Sequence, residues 1–172
     1  MNGSVFLGES VAVRILDRQD QRVEKLKKRE DGKHMERFRM ELESLSKNEE
    51  FARVVVAVFM SRLDPTLEEI DDVKTAVSEA VTNAEIHGYA GKQGIIEMDL
   101  EIEGQELTIQ VKDCGRGIEN VEKAMEPLFT TDRSGERSGM GFSFMEAFMD
   151  ELEVKSEVGK GTLVIMKKRI GR

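Results

Sequence analysis

The sequence has no tryptophan, one tyrosine, one cysteine, two prolines and two histidines among its 172 residues. A single cysteine, Cys114, excludes an internal disulfide framework and a cysteine-rich zinc site, and it fits a reducing, cytoplasmic setting. No apolar run approaches the roughly 18 residues that a membrane-spanning helix requires. The N-terminus also lacks the basic, apolar and small-residue order of a signal peptide, so no membrane association is expected. A basic excess is missing too: 26 Lys and Arg stand against 34 Asp and Glu, a formal net charge of -8. That removes the electrostatic ground for direct binding to a nucleic-acid backbone. What is present, 39% hydrophobic and 35% charged residues, suffices for one core of ordinary size in a chain of this length.

The chain divides at residue 34. Residues 1–34 carry eight basic and six acidic side chains, so the acidic character belongs to residues 35–172. Between Gln19 and Lys33 only Val23 and Leu26 are apolar, too few to seat a helix on a core. Two readings stay open: a disordered or weakly helical N-terminal extension, or a start placed too early. On the second, Arg29-Glu30-Asp31 is encodable as AGG-GAG-GAT, a ribosome-binding sequence upstream of a true first residue at Met35.

From Met35 the patterning is regular. Residues Arg37 to Glu43 alternate polar and apolar with the period of a half-buried strand. Ser46-Lys47-Asn48-Glu49 fits a capping box, and Phe51, Val54, Val55, Val58 and Phe59 follow at helical spacing until Asp64-Pro65. A second helix is predicted from Asp64 as cap and Pro65 in the first turn, through Glu79 to about His87, with Gly88 ending it. Ile95 to Glu103 and Glu106 to Lys112 alternate again around Gly104-Gln105, an antiparallel hairpin. After a long glycine-containing loop, Gly139 to Asp150 returns to helical spacing. Leu152 to Ser156 and Thr162 to Lys168 then form a last hairpin. This order predicts an α/β two-layer sandwich with a mixed, mainly antiparallel sheet and helices on one face, rather than a doubly wound parallel sheet.

Three short constellations carry chemistry. Glu79, Asn83 and His87 lie at i, i+4 and i+8, one row along the edge of the apolar arc Val73, Ala76, Val77, Ala80 and Ala84. Asn83 offers a neutral oxygen to a hard cation such as magnesium and Glu79 a general base; the alternative is a solvated helix edge. Asp113-Cys114-Gly115-Arg116-Gly117 sets a carboxylate at a strand end, able to accept from an exocyclic amine, before glycines that let the backbone approach a flat base; an ordinary loop has the same composition. Ser138-Gly139-Met140-Gly141 leads into a helix whose free N–H groups and dipole suit an anion, with Arg137 able to add a bidentate phosphate contact; tight helix packing and a surface charge are the alternatives. The Rossmann G-x-G-x-x-G and P-loop signatures are both absent.

Taken in order, Glu79-x-x-x-Asn83, Asp113-x-Gly-x-Gly117 and Gly139-Met-Gly141 resemble the GHKL superfamily of ATP-binding (Bergerat-fold) domains. Val77-Ser-Glu-Ala-Val-Thr-Asn-Ala84, Ile86-His-Gly-Tyr89, Pro127-Leu-Phe-Thr-Thr131 and Arg137-Ser-Gly-Met-Gly-Phe142 are similar, more closely, to the anti-sigma F factors of endospore-forming bacteria, a family of serine protein kinases. The resemblance covers about Met35 to Lys168 and leaves residues 1–34 outside. It implies ATP and magnesium as cofactors, with Asn83 as magnesium ligand, Glu79 as catalytic base, Asp113 as acceptor of the adenine amine and Thr162 supporting the base pocket. It further implies Gly115, Gly117, Gly139 and Gly141 as pocket-shaping positions, and an ATP lid over 130–138. Thr130, Thr131, Arg137, Ser138 and Met140 would then lie near the phosphates, and Arg53 would hold protein partners. The implied partners are sigma F, an anti-anti-sigma protein whose serine is phosphorylated, and a second copy of the chain in a homodimer. Other readings are a kinase of the sister stress-response family and a sequestering module that uses ATP only to order its lid. A histidine-kinase catalytic domain would need a helical pair upstream bearing a phosphoacceptor histidine, and only His34 lies upstream. A gyrase- or MutL-type ATPase would need a transducer domain after the site, for which the sequence given has no length.

Overall fold

A computed structural model describes residues 4–6, 12–14, 35–126 and 140–171. In chain order the elements are β1 (Ser4–Phe6), β2 (Ala12–Arg14), β3 (Met35–Glu43), α1 (Ser46–Met60), α2 (Leu67–Asn83), β4 (Ile95–Glu103), β5 (Glu106–Lys112), α3 (Val121–Met125), α4 (Gly141–Phe148), β6 (Glu151–Glu157) and β7 (Gly161–Arg169). A 3-10 turn, Ser61–Leu63, closes α1, and a π-helical turn, Ala84–Gly88, extends α2. The five long strands form one sheet in the order β3-β4-β5-β7-β6, with every neighbouring pair antiparallel.

The alternation seen in the sequence becomes two unlike faces. Met40, Met98, Val111, Val164 and Val154 face one another across the five strands as one register row, and this apolar face packs under α1, α2 and α4. Val56, Val73, Ala76, Val77, Ala80 and Met145 close the core from the helical side, each at most 1% exposed. On the outer face the cross-strand neighbours are ions: Arg39 grips Asp99 through two contacts of 2.5 and 2.8 Å, Lys112 meets Glu97 at 3.1 Å and Lys167 meets Glu151 at 2.6 Å. Such exposed pairs contribute little stability but keep the open face soluble and in register. The two-layer sandwich with helices on one face is the predicted architecture, with a sheet that is antiparallel throughout.

Some element ends differ from those expected. Ser46 is the first residue of α1 rather than its cap; Leu45 precedes it without a side-chain cap, and Ser46 Oγ turns to Glu85 Oε1 at 2.7 Å. The reciprocal capping box belongs instead to α2. Thr66 Oγ1 accepts from the Glu69 N–H at 3.2 Å, and Glu69 Oε2 accepts from the Thr66 N–H at 2.8 Å. Asp64, expected as that cap, sits two residues too early, in the left-handed region at φ 53°. The short helix α3, capped by Asn120 Oδ1 on the Lys123 N–H, lies in what the sequence reads as loop. Within residues 1–34, read from the sequence as a disordered or weakly helical extension or a start placed too early, Ser4–Phe6 and Ala12–Arg14 pair as antiparallel strands.

Candidate functional site

Strand parity builds the site. Ile109, Val111 and Asp113 share the core-facing side of β5 and its continuation, so the residue after Lys112 must turn its carboxyl inward, where it is 5% exposed. Two backbone bonds, Asp113 N–H to Thr162 O at 2.9 Å and Thr162 N–H to Asp113 O at 3.2 Å, extend the β5–β7 ladder by one pair. Thr162 in turn opposes Ser156 on β6. The apolar row Val111–Val164–Val154 is therefore followed by a polar row, Asp113–Thr162–Ser156, at the end of the sheet under α2.

Every side chain of that row takes part in hydrogen bonds. Asp113 Oδ1 accepts from the Gly115 N–H at 2.8 Å. Burial pushes the Asp113 carboxyl above its ordinary value, against the lowering effect of the Gly115 and Thr162 backbone bonds. Ser156 Oγ accepts from the Ile118 N–H at 2.8 Å, reaches Gly161 O at 3.0 Å and meets Thr162 Oγ1 at 2.8 Å.

The wall opposite is the end of α2. Its last turn widens to π geometry, with the Tyr89 N–H bonded to Ala84 O at 3.0 Å, a deviation found frequently at functional sites. It brings Gly88 against the acidic loop: a Cβ on Gly88 would stand 2.8 Å from Asp113 Oδ1, and one on Gly115 would stand 2.2 Å from Gly88 O. The Arg116 N–H closes the same contact on Gly88 O at 2.9 Å. Tyr89 then ties three segments, its hydroxyl donating to Ile95 O at 2.5 Å and accepting from the Cys114 N–H at 3.0 Å. On the far side Gly117, at φ 72°, packs so closely on Glu157 that a Cβ would lie 2.2 Å from the Glu157 carbonyl oxygen.

Between these walls lies a cleft of about 350 Å³ including its open mouth, with Val111 and Val164 as floor, Ala80, Ala84 and Phe142 along the sides, and Asp113 and Thr162 as polar ends. Asn83, His87 and Gly117 also line it. Glu79 and Asn83 stand at the start of α4: a Cβ on Gly141 would be 2.8 Å from Glu79 Oε2 and 3.3 Å from Asn83 Nδ2. The structure thus brings Glu79, Asn83, Asp113, Gly115, Gly117, Gly141 and Thr162 to one place, with Met140 immediately before α4. Arg53 is on α1, is not among the cleft-lining residues, and its Nε lies 2.8 Å from Glu49 Oε1. Thr130, Thr131, Arg137, Ser138 and Gly139 lie outside the described residues.

The arrangement suits a flat base carrying an amine. A narrow apolar slot ends in a buried carboxylate and a hydroxyl, glycine backbone replaces side chains where a Cβ would fill the space, and an acid and an amide wait where the slot opens toward a helix N-terminus. Among the described residues no three His, Cys, Asp or Glu side chains converge as a metal-holding group, and no helix is long and apolar enough to cross a membrane. Gly88, Tyr89 and Ser156 were missed as site residues by the sequence reading. For Ser156 a signal existed, a hydroxyl in the third core-facing position of a strand after Leu152 and Val154; the π turn has no comparable signal.

Comparison with known proteins shows the family. Residues 38–168 match the family described as "Histidine kinase-like ATPase domain". The anti-sigma F factor of Clostridium acetobutylicum is 65% identical over 133 residues, covering 76% of this chain and 93% of that protein. The anti-sigma F factor of Thermoanaerobacter sp. is 63% identical over 134 residues, covering 77% and 94%. Among solved structures, that of the RsbU and RsbW domains of a Mycobacterium tuberculosis protein superposes with a TM-score of 0.58 at 21% identity, over 80% of this chain and 33% of that one, a likeness of fold.

Proposed function

Because the chain belongs to the histidine kinase-like ATPase family and, within it, to the anti-sigma F factors, we propose that it binds magnesium and ATP in this cleft, sequesters sigma F, and phosphorylates a serine of an anti-anti-sigma protein. The observation that carries the reading is the pairing of a buried amine acceptor, Asp113, at one end of the cleft with Glu79 and Asn83 against the first residue of α4 at the other. Mere sequestration by an ordered lid would need the first and not the second.

Each residue has a part set by its place. Asp113 accepts from the adenine amine while Gly115 N–H holds its other oxygen. Gly88 and Gly117 keep the slot thin, and Val111 and Val164 stack below the base. Asn83 would hold magnesium through its amide oxygen, and the ion would supply positive charge to offset that of the phosphates. Glu79 accepts the proton of the partner serine hydroxyl as its oxygen bonds to the γ-phosphorus and the bond to the β-phosphate oxygen breaks, leaving ADP. The free N–H groups at the start of α4 would face the phosphates, and the family resemblance assigns Gly139 and the lid residues Thr130, Thr131, Arg137 and Ser138 to the same end of the nucleotide. Arg53 holds the protein partners, the chain acts as a homodimer in the cytoplasm, and residues 1–34, which lie outside the family match, are either an N-terminal extension or the product of a start placed too early.

The test is transfer of γ-labelled phosphate from magnesium ATP to the anti-anti-sigma protein by the parent and by Glu79→Gln. Transfer to serine by the parent, lost in a variant that still binds ATP, is expected. ATP binding with no transfer by the parent would leave a sequestering module and remove Glu79 from the role of base.

A further inference from the structure

The polar row Asp113–Thr162–Ser156 contains a hydrogen-bonding question that the ATP reading leaves open: which way the proton of Thr162 points. A serine hydroxyl has one proton to donate and two lone pairs that accept. Ser156 Oγ has three neighbours in reach, the Ile118 N–H at 2.8 Å, Gly161 O at 3.0 Å and Thr162 Oγ1 at 2.8 Å. The Ile118 N–H takes one lone pair without choice. Gly161 O is a carbonyl and can only accept, so it takes the single proton. The remaining lone pair is left for Thr162, whose hydroxyl must then donate to Ser156.

From this inventory we infer that Ser156 is a specificity-determining residue that acts through Thr162: it captures the threonine proton, so the polar end of the cleft presents acceptors only. Thr162 lines the cleft beside Asp113, and with its proton committed to β6 it offers lone pairs to whatever enters. The carboxylate of Asp113, with Oδ1 held by the Gly115 N–H, offers the same. A base edge bearing an amine finds partners there, whereas one bearing a carbonyl, such as guanine, meets acceptor against acceptor and leaves buried groups unpaired. Ser156 is thus a positioning residue outside the nucleotide contact, and the inference rests on the proposed ATP site.

The hairpin makes this arrangement rigid. Ser156 and Thr162 are register partners across β6 and β7, and the turn between them is clamped on the acidic loop by the Gly159 N–H to Arg116 O bond at 2.8 Å. A Cβ on Gly161 would stand 2.0 Å from Asp113 O, so the two hydroxyls cannot drift from the carboxylate.

Titration calorimetry of the full chain with magnesium ATP and with magnesium GTP tests the inference, on the parent, Ser156→Ala and Ser156→Thr. Removing the hydroxyl frees the Thr162 proton to donate into the cleft, so Ser156→Ala is expected to narrow the ATP-over-GTP affinity ratio by about fivefold or more. Ser156→Thr keeps an oxygen in place and is expected to preserve the ratio. Equal weakening of both nucleotides in Ser156→Ala, with the ratio unchanged, would overturn the inference and leave Ser156 as a support for Ile118 alone. Failure of the parent to bind ATP would overturn the nucleotide reading itself and this inference with it.

Discussion

Replacing Asp113 by asparagine should separate recognition from stability, because the proposed nucleotide site calls for a carboxylate at a position where burial disfavours one. The carboxylate has one oxygen on the Gly115 N–H at 2.8 Å and is 5% exposed. Asparagine has nearly the same shape but only one acceptor oxygen. With that oxygen on the Gly115 N–H, its NH2 group faces the cleft and confronts the adenine amine donor to donor; with the amide reversed, the Gly115 N–H is orphaned. Either orientation leaves a buried polar group unpaired, at about 1–3 kcal/mol, so ATP affinity should fall roughly 5- to 150-fold.

Stability should move the other way. Burial raises the Asp113 carboxyl above its ordinary value, so the folded chain holds that proton more tightly than the unfolded chain. Stability therefore declines as pH rises from the ordinary carboxylate range to the raised value, and stays at the lower level above it. Asparagine cannot ionise and escapes that penalty. Thermal melting at pH 7.5 should find Asp113→Asn at or above the parent, while calorimetry at the same pH finds ATP binding weakened. In the parent, ATP affinity should also fall in acid as Asp113 protonates, beginning at a higher pH than an ordinary aspartate would impose, and this component should be missing from the variant. A variant that melts well below the parent and loses ATP binding in proportion would refute the reasoning, since Asp113 would then be holding the fold rather than reading the base.

Other substitutions probe the frame around it. Gly161→Ala places a methyl 2.0 Å from Asp113 O at a residue with φ 100°, which combines backbone strain with overpacking; about 2–4 kcal/mol of destabilisation is expected, seen as a melting temperature lower by roughly 5–15 °C. Gly141→Ala meets only the movable ends of Glu79 and Asn83, at 2.8 and 3.3 Å, so melting should change by a couple of degrees at most while phosphate transfer falls by about 10- to 100-fold through their displacement. Thr66→Ala removes the reciprocal cap of α2, costing about 1 kcal/mol and roughly 2–4 °C of melting temperature with ATP affinity unchanged, because the cap lies at the opposite end of that helix from Asn83.

The parts of the fold legible in the sequence are those that depend on short periods. Alternation exposed β3, both later hairpins and the two unlike faces of the sheet, and the 3.6-residue spacing of Val73, Ala76, Val77, Ala80 and Ala84 exposed α2 with Glu79 and Asn83 on its edge. Helix starts were less legible, because Asp64 and Thr66 are both good caps and only the chain path decides between them. Asp64 is drawn into a left-handed closing turn after Leu63, and Thr66 inherits the cap with Glu69 three residues on. The π turn at Ala84–Gly88 was beyond reach, since what stabilises it is not local: the Gly88 carbonyl meets the Arg116 N–H, and the Tyr89 hydroxyl meets the Cys114 N–H and the Ile95 carbonyl.

The site shows why a motif can be read in pieces and its chemistry still be missed. Parity is a property of two neighbouring residues, so an inward aspartate after Val111, an inward threonine before Val164 and an inward serine after Val154 are each visible in their own strand. Register is a property of two strands, and it alone decides that Asp113, Thr162 and Ser156 form one row. A one-residue slip of the β6–β7 hairpin would turn Ser156 to the outer, ionic face and leave Thr162 its proton. The short turn that forbids the slip is held by contacts to Arg116 and Gly117, on the loop that carries Asp113. Gly117 therefore does more than line the cleft, because by seating that turn it also fixes, on the inferred proton arrangement, which hydroxyl in the cleft can donate.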